Sequence, residues 1–335
     1  MRAVVLVGGF GTRLRPLTLS TPKQMLPVVD RPMIEWVVAG LARHGVDEAV
    51  LSLGYRPDAF RAAYPDSVCA GVRLRYAVEP EPLDTAGAIR FAARHAGVAE
   101  RFVVVNGDVL TDLDVSALLD FHERAGAEAT IALHRVDDPS AFGVVPTDDD
   151  GRVAAFVEKP PPEQAPTDRI NAGTYVLEPS VLDRIPAERR VSIERETFPT
   201  MVDDRMLFAL DDGGCYWLDA GTPAQYLQAQ LDLIDGSRGP APLPVAADAL
   251  VHPSARLDRA IVMSGAQVAE GTTLQACAVL PNASVGADAV VVGSIVGSGA
   301  VVGDGARVLD GAVLGDGVVV AAGEMVVGRR IPEPA

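Results

Sequence analysis

The first part of the chain alternates short, continuous apolar runs with segments of helical periodicity. Residues 4–7 and 102–105 are apolar, mostly valine, and lack polar alternation, which is typical of strands buried on both faces of a parallel sheet. Between them, the apolar positions of residues 33–45 recur at helical spacing. Because strands that alternate with helices form βαβ units, the pattern predicts a Rossmann-like α/β domain with a mostly parallel sheet.

The same patterns predict the remaining elements of this domain. We predict further strands at 49–53, 73–78, 130–136, 143–146, 153–158, 170–177, 208–210 and 215–218, and further helices at 82–93, 181–185, 194–201 and 223–234. Ligands of such sheets bind at the carboxyl ends of the strands. The segments that directly follow residues 4–7 and 102–105 are therefore the first candidates for a site.

The periodicity changes beyond residue 236. A stretch rich in Gly and Pro predicts a linker, and after it apolar residues recur every six positions. A hexapeptide period is the signature of a parallel β-helix with three hexads per coil, so residues 250–327 predict about four coils. We divide the chain into an α/β domain at 1–235, a linker at 236–248 and a β-helix at 249–330. The repeat is carried by Val296, Val302, Val308, Leu314, Val320 and Val326, with Val285 and Val291 one position out of phase.

A glycine-rich turn follows the first strand directly. Its glycines allow a ligand to approach the main chain, and its successive N–H groups can form an anion-binding concavity. The spacing matches neither the dinucleotide fingerprint nor the Walker loop. We interpret the turn, with its basic side chains, as a triphosphate site, and an ordinary tight turn is the alternative. The candidate residues are Gly8, Gly9, Gly11, Thr12, Arg13 and Lys23.

The longer string around this turn resembles the signature of the sugar-1-phosphate nucleotidyltransferases. It reads GGxGTRL at residues 8–14, PLT at 16–18 and PK at 22–23. The resemblance implies transfer of a nucleotidyl group from a nucleoside triphosphate to a sugar 1-phosphate, with release of pyrophosphate. It also implies that the β-helix is left-handed and that Arg13 and Lys23 are catalytic.

Two aspartates follow predicted strands. Asp108 comes directly after residues 102–105, and Asp219 lies in the motif YWLDAGTP at residues 216–223. Carboxylate oxygens suit Mg²⁺, which often takes one or two carboxylates together with substrate phosphates. A helix cap or a turn is the alternative for each aspartate. The resemblance implies that Asp108 and Asp219 are metal ligands in catalysis.

A second group of residues matches the family's sugar-contacting segments. The resemblance implies that Glu158 of a Glu-Lys-Pro tripeptide holds sugar hydroxyls and that Lys159 holds the sugar phosphate. Asn171 and Gly143 fall in two further segments of this kind. The alternatives are a solvated surface pair and ordinary turns.

The stretch from Glu79 to Gly87 bears on the base. Thymidylyltransferases have Gln at the place of Glu79, and a carboxylate, which only accepts hydrogen bonds, favours the two adjacent donors of guanine. Glu81 is the alternative carboxylate for this role. The stretch is similar to that of mannose-1-phosphate guanylyltransferases, except at Asp84, where that family usually has Gly. We therefore expect GTP and mannose 1-phosphate. Residues 23–27 and 31–34 look more like those of thymidylyl- or uridylyltransferases, which is the alternative.

Charge and cysteine usage exclude several classes of protein. A formal net charge of −16 argues against nucleic acid as a partner, because phosphate backbones demand a basic surface. The cysteines, Cys69, Cys215 and Cys277, form neither a zinc spacing nor a disulfide framework, which predicts a reducing cytoplasm. The sequence predicts neither a signal peptide nor a membrane helix.

Two other functions are alternatives to nucleotidyl transfer. Hexapeptide β-helices often belong to acyltransferases that use a histidine base, but His252 is the one histidine in the repeat region and stands at its start. A non-catalytic, nucleotide-sugar-binding regulatory subunit is the third class. We expect a homo-oligomer formed through the β-helix, with the chemistry confined to the first domain.

Overall fold

The computed structural model describes residues 1–54, 56–187, 189–211 and 213–333. Its helices are α1 (Met33–Ala42), α2 (Pro57–Ala63), α3 (Asp84–His95), α4 (Val115–Ala125), α5 (Val181–Arg184), α6 (Phe198–Asp203) and α7 (Pro223–Ile234). Strands of the first part are β1 (Arg2–Leu6), β2 (Pro27–Val28), β3 (Arg31–Pro32), β4 (Glu48–Leu53), β5 (Val68–Cys69), β6 (Val72–Val78), β7 (Phe102–Asn106), β8 (Val109–Thr111), β9 (Ala129–Arg135), β10 (Gly143–Val144), β11 (Val157–Glu158), β12 (Arg169–Leu177), β13 (Leu207–Asp211) and β14 (Trp217–Asp219).

Contacts along the chain define two compact units. The first combines Met1–Gly9 with Glu35–Trp217, and the second combines Phe10–Ile34 with Leu218–Ala335. The glycine-rich turn is therefore divided, because Gly9 ends the first segment and Phe10 begins the second.

The first unit is built on a mixed sheet, to which the described residues contribute ten strands. Eight of them follow the order β11-β10-β12-β7-β1-β4-β6-β5, β9 pairs with β12, and β13 pairs with β9. The central strands β7, β1, β4 and β6 are parallel, as predicted, whereas β12 runs antiparallel to both β7 and β9. Strand β10 also pairs antiparallel with both β11 and β12, so this flank of the sheet consists largely of antiparallel pairs.

Valine and alanine fill most of the core of this unit. Buried Val4, Val50 and Val104 lie on adjacent central strands, and α3 packs its apolar face on them. A few aromatic side chains complete the core, with Phe198 in edge contact with Tyr175 at 5.2 Å between ring centroids. The low aromatic content is thus compensated by dense packing of small residues.

Several predicted elements differ from the structure. The strand expected at 143–146 is the shorter β10, and the strand expected at 215–218 is displaced to β14. The strand expected at 153–158 is reduced to β11, because Arg152 and Val153 form isolated bridges to Phe208 and Thr147 instead of continuing it. The helix expected at 194–201 divides into a π-helical turn, Ile193–Thr197, and α6.

The second unit contains a parallel β-helix. Its strands are β15 (Leu250–Val251), β16 (Arg256–Val262), β17 (Gln267–Val268), β18 (Thr273–Val279), β19 (Ser284–Val285), β20 (Val290–Val292), β21 (Ile295–Val296), β22 (Val301–Val302), β23 (Arg307–Leu309), β24 (Val313–Leu314), β25 (Val319–Val320), β26 (Met325–Val327) and β27 (Arg330–Ile331). In the described residues, each of its three faces stacks five parallel strands, such as β15-β17-β19-β22-β25, compared with about four coils expected. The stacking is consistent with the left-handed form that the resemblance implies.

Coil length explains the phase shift in the hexapeptide repeat. Val268 pairs with Val285, whereas Val302 pairs with Val320, so the coils at the start of the β-helix are shorter by a single residue than those at its end. One side of a shorter coil falls a residue short of a full hexad, which produces the smaller step between Val291 and Val296. All these valines point inward and are buried.

Helix α7 and the segment 10–34 belong to the same unit. Tyr226 of α7 donates its hydroxyl hydrogen bond to the carbonyl oxygen of Pro27, and the amide of Val29 donates to Gln230 at 3.3 Å. Thr222 caps α7 by accepting a hydrogen bond from the amide of Gln225, which fixes its start at the predicted residue. Among the described residues, no helix is both long and apolar enough to cross a membrane.

Candidate active site

Asp108 and the first two glycines of the turn emerge at the same edge of the sheet. Strands β1 and β7 are parallel neighbours with Leu6 opposite Asn106, and the amide of Gly107 donates to the carbonyl oxygen of Leu6 at 2.9 Å. The segments after both strands, including Gly8 and Gly9, therefore start side by side. The half-buried Asp108 follows this pairing directly, as the sequence predicted for a residue at a strand end.

Glu79 directly follows β6, which β4 separates from β1 in the sheet, and it faces Gly8. Its Oε1 lies 3.7 Å from the point where a Cβ of Gly8 would be, and it accepts a hydrogen bond from the hydroxyl of Ser52 at 2.9 Å. Its Oε2 accepts from the amide of Leu83 at 3.1 Å. The half-buried carboxylate thus fixes the following loop, and each oxygen keeps lone-pair capacity for a further donor.

Asp84 adopts a backbone conformation that glycine enters freely. Its φ is +61°, in the left-handed region that Asp tolerates better than most residues. The conformation is held because its carboxylate accepts from the amide of Thr85 at 2.9 Å and from Arg195 at 3.1 Å. Gly87 lies on α3 and is buried, and a Cβ there would lie 3.1 Å from the carbonyl oxygen of Arg189. Gly87 therefore allows close packing of this helix.

Two residues that we expect to contact the sugar, Gly143 and Glu158, lie on the paired strands β10 and β11. Gly143 pairs with Glu158 in register, and a Cβ at Gly143 would lie 2.6 Å from the ring of Phe156 and 3.0 Å from the Glu158 carboxylate. Glycine is required here chiefly by the Phe156 ring, which a Cβ would overlap. Lys159 has a positive φ of 50°, and its Nζ lies 3.2 Å from Glu158 Oε1 with the side chain 63% exposed. An exposed cation thus stands beside a half-buried carboxylate.

Asn171 is held by its own strand. Its amide nitrogen donates to the hydroxyl of Tyr175 at 2.9 Å, and its oxygen accepts from the amide of Gly173 at the same distance. Burial raises the pKa of Tyr175, which therefore stays a neutral phenol. A Cβ at Gly173 would lie 2.6 Å from the side-chain amide of Asn106, so this loop also approaches the end of β7.

An aromatic group in the first unit escaped the sequence reasoning. His134 stacks on Trp217 at 5.1 Å between ring centroids, and Phe142 meets the same indole edge-on at 5.6 Å. The indole nitrogen donates to the carbonyl oxygen of Ala172 at 2.9 Å, beside Asn171. In the sequence, Trp217 stands out only as part of the motif that contains Asp219. No local pattern marked His134, since its partner lies far away in sequence.

The second unit assembles the basic residues of the turn around Asp219. Lys23 is 7% exposed, and its Nζ lies 3.8 Å from Asp219 Oδ1, while Arg13 is 65% exposed with a guanidinium nitrogen 3.9 Å from Oδ2. A Cβ at Gly221 would lie 2.7 Å from the Arg13 guanidinium, so this glycine makes space for it. Asp219 thus faces a buried and an exposed cation together.

The turn itself is built for tight backbone packing. Gly11 has a φ of +58°, and a Cβ there would lie 3.0 Å from Thr18 and 3.3 Å from Lys23. The Thr18 hydroxyl donates to the carbonyl oxygen of Gly11 at 2.7 Å. Thr12 and Arg13 then form an exposed 3-10 turn, Thr12–Leu14. The exposed side chains are therefore displayed on a rigid backbone.

Each unit contains one of the two predicted metal ligands. Asp108 belongs to the first unit and Asp219 to the second. In the part of the chain that the structure describes, no three His, Cys, Asp or Glu side chains form a metal-binding group. The carboxylate oxygens are nevertheless the hard donors that Mg²⁺ prefers, and its remaining ligands are commonly waters and substrate phosphates.

These features define a class of protein. In this chain a strand of an α/β sheet runs directly into a glycine-rich, basic turn, and a hexapeptide β-helix follows later in the sequence. Nucleotidyltransferases with a C-terminal β-helix have this organisation. The family model described as "Nucleotidyl transferase" matches residues 2–236, and the model "GMPPB C-terminal domain" matches residues 241–334. The chain belongs to the nucleotidyl transferase family and is an enzyme.

Individual proteins agree with this assignment. The chain is 41% identical over 304 residues to a mannose-1-phosphate guanylyltransferase of Mycobacterium tuberculosis, which covers 86% of this chain and 82% of that protein. It is 44% identical over 233 residues to a mannose-1-phosphate guanyltransferase of Aspergillus fumigatus, covering 68% and 62%. The crystal structure of HddC from Yersinia pseudotuberculosis complexed with GMP-PN superposes with a TM-score of 0.58 and 28% identity, covering 68% of this chain and 97% of HddC.

Proposed function

We propose that this enzyme transfers the guanylyl group of GTP to mannose 1-phosphate, which yields GDP-mannose and pyrophosphate. The observation that carries the base assignment is the Glu79 carboxylate, which faces Gly8 at the edge of the sheet. Relatives that bear the name mannose-1-phosphate guanylyltransferase support both substrates. HddC, which was crystallised with GMP-PN, supports a guanine nucleotide.

Charge neutralisation and positioning account for the chemistry. An oxygen of the sugar phosphate attacks the α-phosphorus of GTP, a P–O bond forms, the α–β P–O bond breaks, and pyrophosphate leaves. Because the attacking oxygen is already anionic, no general base is required. We assign Arg13 to the departing pyrophosphate, Lys23 to the α-phosphate and Lys159 to the incoming phosphate. Gly8, Gly9, Gly11 and Thr12 form the cradle of the triphosphate.

Asp108 and Asp219 are proposed to hold Mg²⁺. The fit rests on the chemistry of the donors, since both side chains present carboxylate oxygens at the ends of strands. Held there, Mg²⁺ would neutralise charge on the substrate phosphates. Asp219 is itself neutralised by Lys23 and Arg13. The triphosphate is expected to draw these cations and so to leave Asp219 available for the metal.

The sugar phosphate is proposed to bind beside β10 and β11. Glu158 lies against Gly143 and offers acceptors to sugar hydroxyls, while Lys159 is exposed enough to reach a phosphate. Asn171 adds an amide that its own strand orients. The contribution of Gly87 is the packing of α3 behind the loop that carries Glu79.

A matrix of nucleoside triphosphates against sugar 1-phosphates, read by pyrophosphate release, tests this function. Wild-type enzyme is expected to give its highest kcat/KM with GTP and mannose 1-phosphate. The variant Glu79→Gln is expected to lose about ten- to a hundredfold of the preference for GTP over dTTP and UTP, because an amide can pair with their carbonyls. The substitution fits locally. The amide oxygen can accept from Leu83, and the amide nitrogen can donate to Ser52, whose hydroxyl then donates to Ala88.

Glu81→Gln serves as the matched control, since Glu81 is an exposed carboxylate two residues away. It is expected to keep the wild-type preference. A wild-type enzyme with a higher kcat/KM for dTTP than for GTP would refute the guanine assignment and favour a thymidylyltransferase. Absence of pyrophosphate release with every pair would favour a regulatory subunit.

We further propose that the protein is a cytoplasmic homo-oligomer formed through the β-helix. Its proposed domains are the α/β domain at residues 1–235, the linker at 236–248 and the β-helix at 249–330. Val301 and Val319 pair on one outer face and are 39% and 71% exposed. An exposed apolar row of this kind favours a partner surface. The double variant Val301→Asp, Val319→Asp is expected to sediment as a monomer.

The control for this prediction is Val68→Asp, which changes an exposed valine of the first unit. It should sediment like the wild type. Wild-type enzyme that sediments as a monomer at micromolar concentration would contradict the proposed oligomer.

A further inference from the structure

The last coil of the β-helix is hydrogen-bonded to the phosphate-binding turn. A guanidinium nitrogen of Arg330 donates to the carbonyl oxygen of Arg13 at 3.0 Å and to that of Arg15 at 3.4 Å. These residues are more than three hundred positions apart in sequence but lie within the same unit. One side chain of the β-helix therefore holds the main chain of a proposed catalytic arginine.

A second contact fixes the following residues of the turn. A Cβ at Gly315 would lie 3.0 Å from Cβ of the buried Pro16, so the corner of the coil rests directly on this proline. The hydroxyl of Ser20 donates to the carboxylate of Asp316. Asp316 also accepts from the amide of Ser298 at 3.1 Å, which anchors it to the preceding coil.

The element that carries Arg330 is itself rigid. Strand β27 pairs with β24, with Val313 opposite Arg330, and the amide of Gly315 donates to the carbonyl oxygen of Ile331 at 2.7 Å. The stacked valine core lies beneath these strands. A donor on a strand of this kind defines a position more accurately than one on a loop does.

We propose that Arg330 is a positioning residue for nucleotidyl transfer, which it supports by holding the Arg13 main chain so that the guanidinium meets the triphosphate. This inference rests on the proposed function of Arg13. Reactions of this kind depend on alignment, and a misplacement of about 1 Å can lower turnover by about a hundredfold. The contacts argue against the expectation that the β-helix serves association alone.

The experiment compares Arg330→Ala, Arg330→Lys and the control Arg329→Ala in the full-length enzyme. Arg329 is the neighbouring arginine, 60% exposed, and pairs with Glu333. Arg330→Ala is expected to lower kcat about tenfold while the KM for mannose 1-phosphate stays near the wild-type value. Arg330→Lys should recover most of the loss because an ammonium can still donate to a carbonyl, and Arg329→Ala should match the wild type.

A structural readout is independent of activity. Hydrogen exchange of the amides in residues 10–20, measured by mass spectrometry, is expected to rise in Arg330→Ala and to remain at the wild-type level in Arg329→Ala. Ser20→Ala, which removes the exposed contact to Asp316, supplies a second variant should Arg330→Ala fold poorly. It should raise exchange in the same segment and lower kcat to a smaller extent.

Parallel assay of Arg13→Ala separates the two proposals. A wild-type kcat in Arg330→Ala, beside a strongly reduced kcat in Arg13→Ala, would overturn the positioning role and leave the proposed function intact. A wild-type kcat in Arg13→Ala would overturn the function assigned to that arginine and, with it, the positioning role. Unchanged exchange in both Arg330→Ala and Ser20→Ala would overturn the contact itself as a constraint.

Discussion

Asp219→Asn is expected to lower kcat at least about a hundredfold at saturating Mg²⁺ and substrates. The amide keeps the size of the side chain but removes the charge that would hold the metal. It also removes the partner of Lys23 and Arg13, whose nitrogen atoms lie 3.8 and 3.9 Å from the carboxylate oxygens. Asp108→Asn is expected to have an effect of similar size, because it removes the other proposed metal ligand.

Pyrophosphate release measured against Mg²⁺ concentration checks this prediction. A metal ligand predicts that the midpoint of the Mg²⁺ titration rises together with the loss of kcat. Asp203→Asn is the matched control, since Asp203 is an exposed aspartate of the first unit, and it should behave as the wild type does. Near-normal turnover of Asp219→Asn or Asp108→Asn at saturating Mg²⁺ would remove that residue from the metal site.

Lys23→Met is expected to lower kcat by at least about a hundredfold as well, through loss of the charge assigned to the α-phosphate. Methionine approximates the length and apolar stem of lysine, so the packing around the position is largely preserved. The side chain is 7% exposed beside an Asp219 that is 18% exposed, and its removal takes away a compensating charge of that carboxylate. We therefore also expect a lower melting temperature in the absence of substrate, because a carboxylate that loses its partner is destabilising.

Steady-state kinetics and thermal unfolding of the same preparation separate these two effects. Arg124→Met is the control, since Arg124 is an exposed cation at the end of α4. It should change neither kcat nor the melting temperature. A Lys23→Met variant that is less stable but retains wild-type kcat would assign Lys23 to structure and exclude it from the chemistry.

Much of the fold could be predicted because its signals are local. Continuous valine runs predicted the central parallel strands, and α7 begins and ends at the residues that its cap and periodicity indicate. The β-helix followed from a single apolar residue in each hexad, since that residue alone must point inward in every coil. The mixed flank of the sheet was not predicted, because strand direction depends on how the chain returns and not on the pattern within a strand.

The chemistry of the site was also partly present in the sequence. The glycine-rich turn and Asp108 follow central parallel strands, where such a sheet places its ligands, whereas Asp219 ends β14, which pairs with β8 outside that sheet. Asp84 shows the limit of this reasoning, since the sequence does not predict the conformation of an aspartate at this place. The structure gives it a left-handed φ that two side-chain hydrogen bonds hold.

The sequence by itself determined the features that depend on neighbouring residues. These are the strand-turn units, the hexapeptide coils and the types of side chain at strand ends. Only the tertiary structure decided which distant groups meet. Glu79 accepts a hydrogen bond from Ser52, Trp217 stacks on His134, and Arg330 donates a hydrogen bond to the main chain of Arg13. The physical reason is that such contacts depend on the order of strands in the sheet and on the register of the stacked coils, whose length changes by a single residue along the β-helix, and neither is set by neighbouring residues.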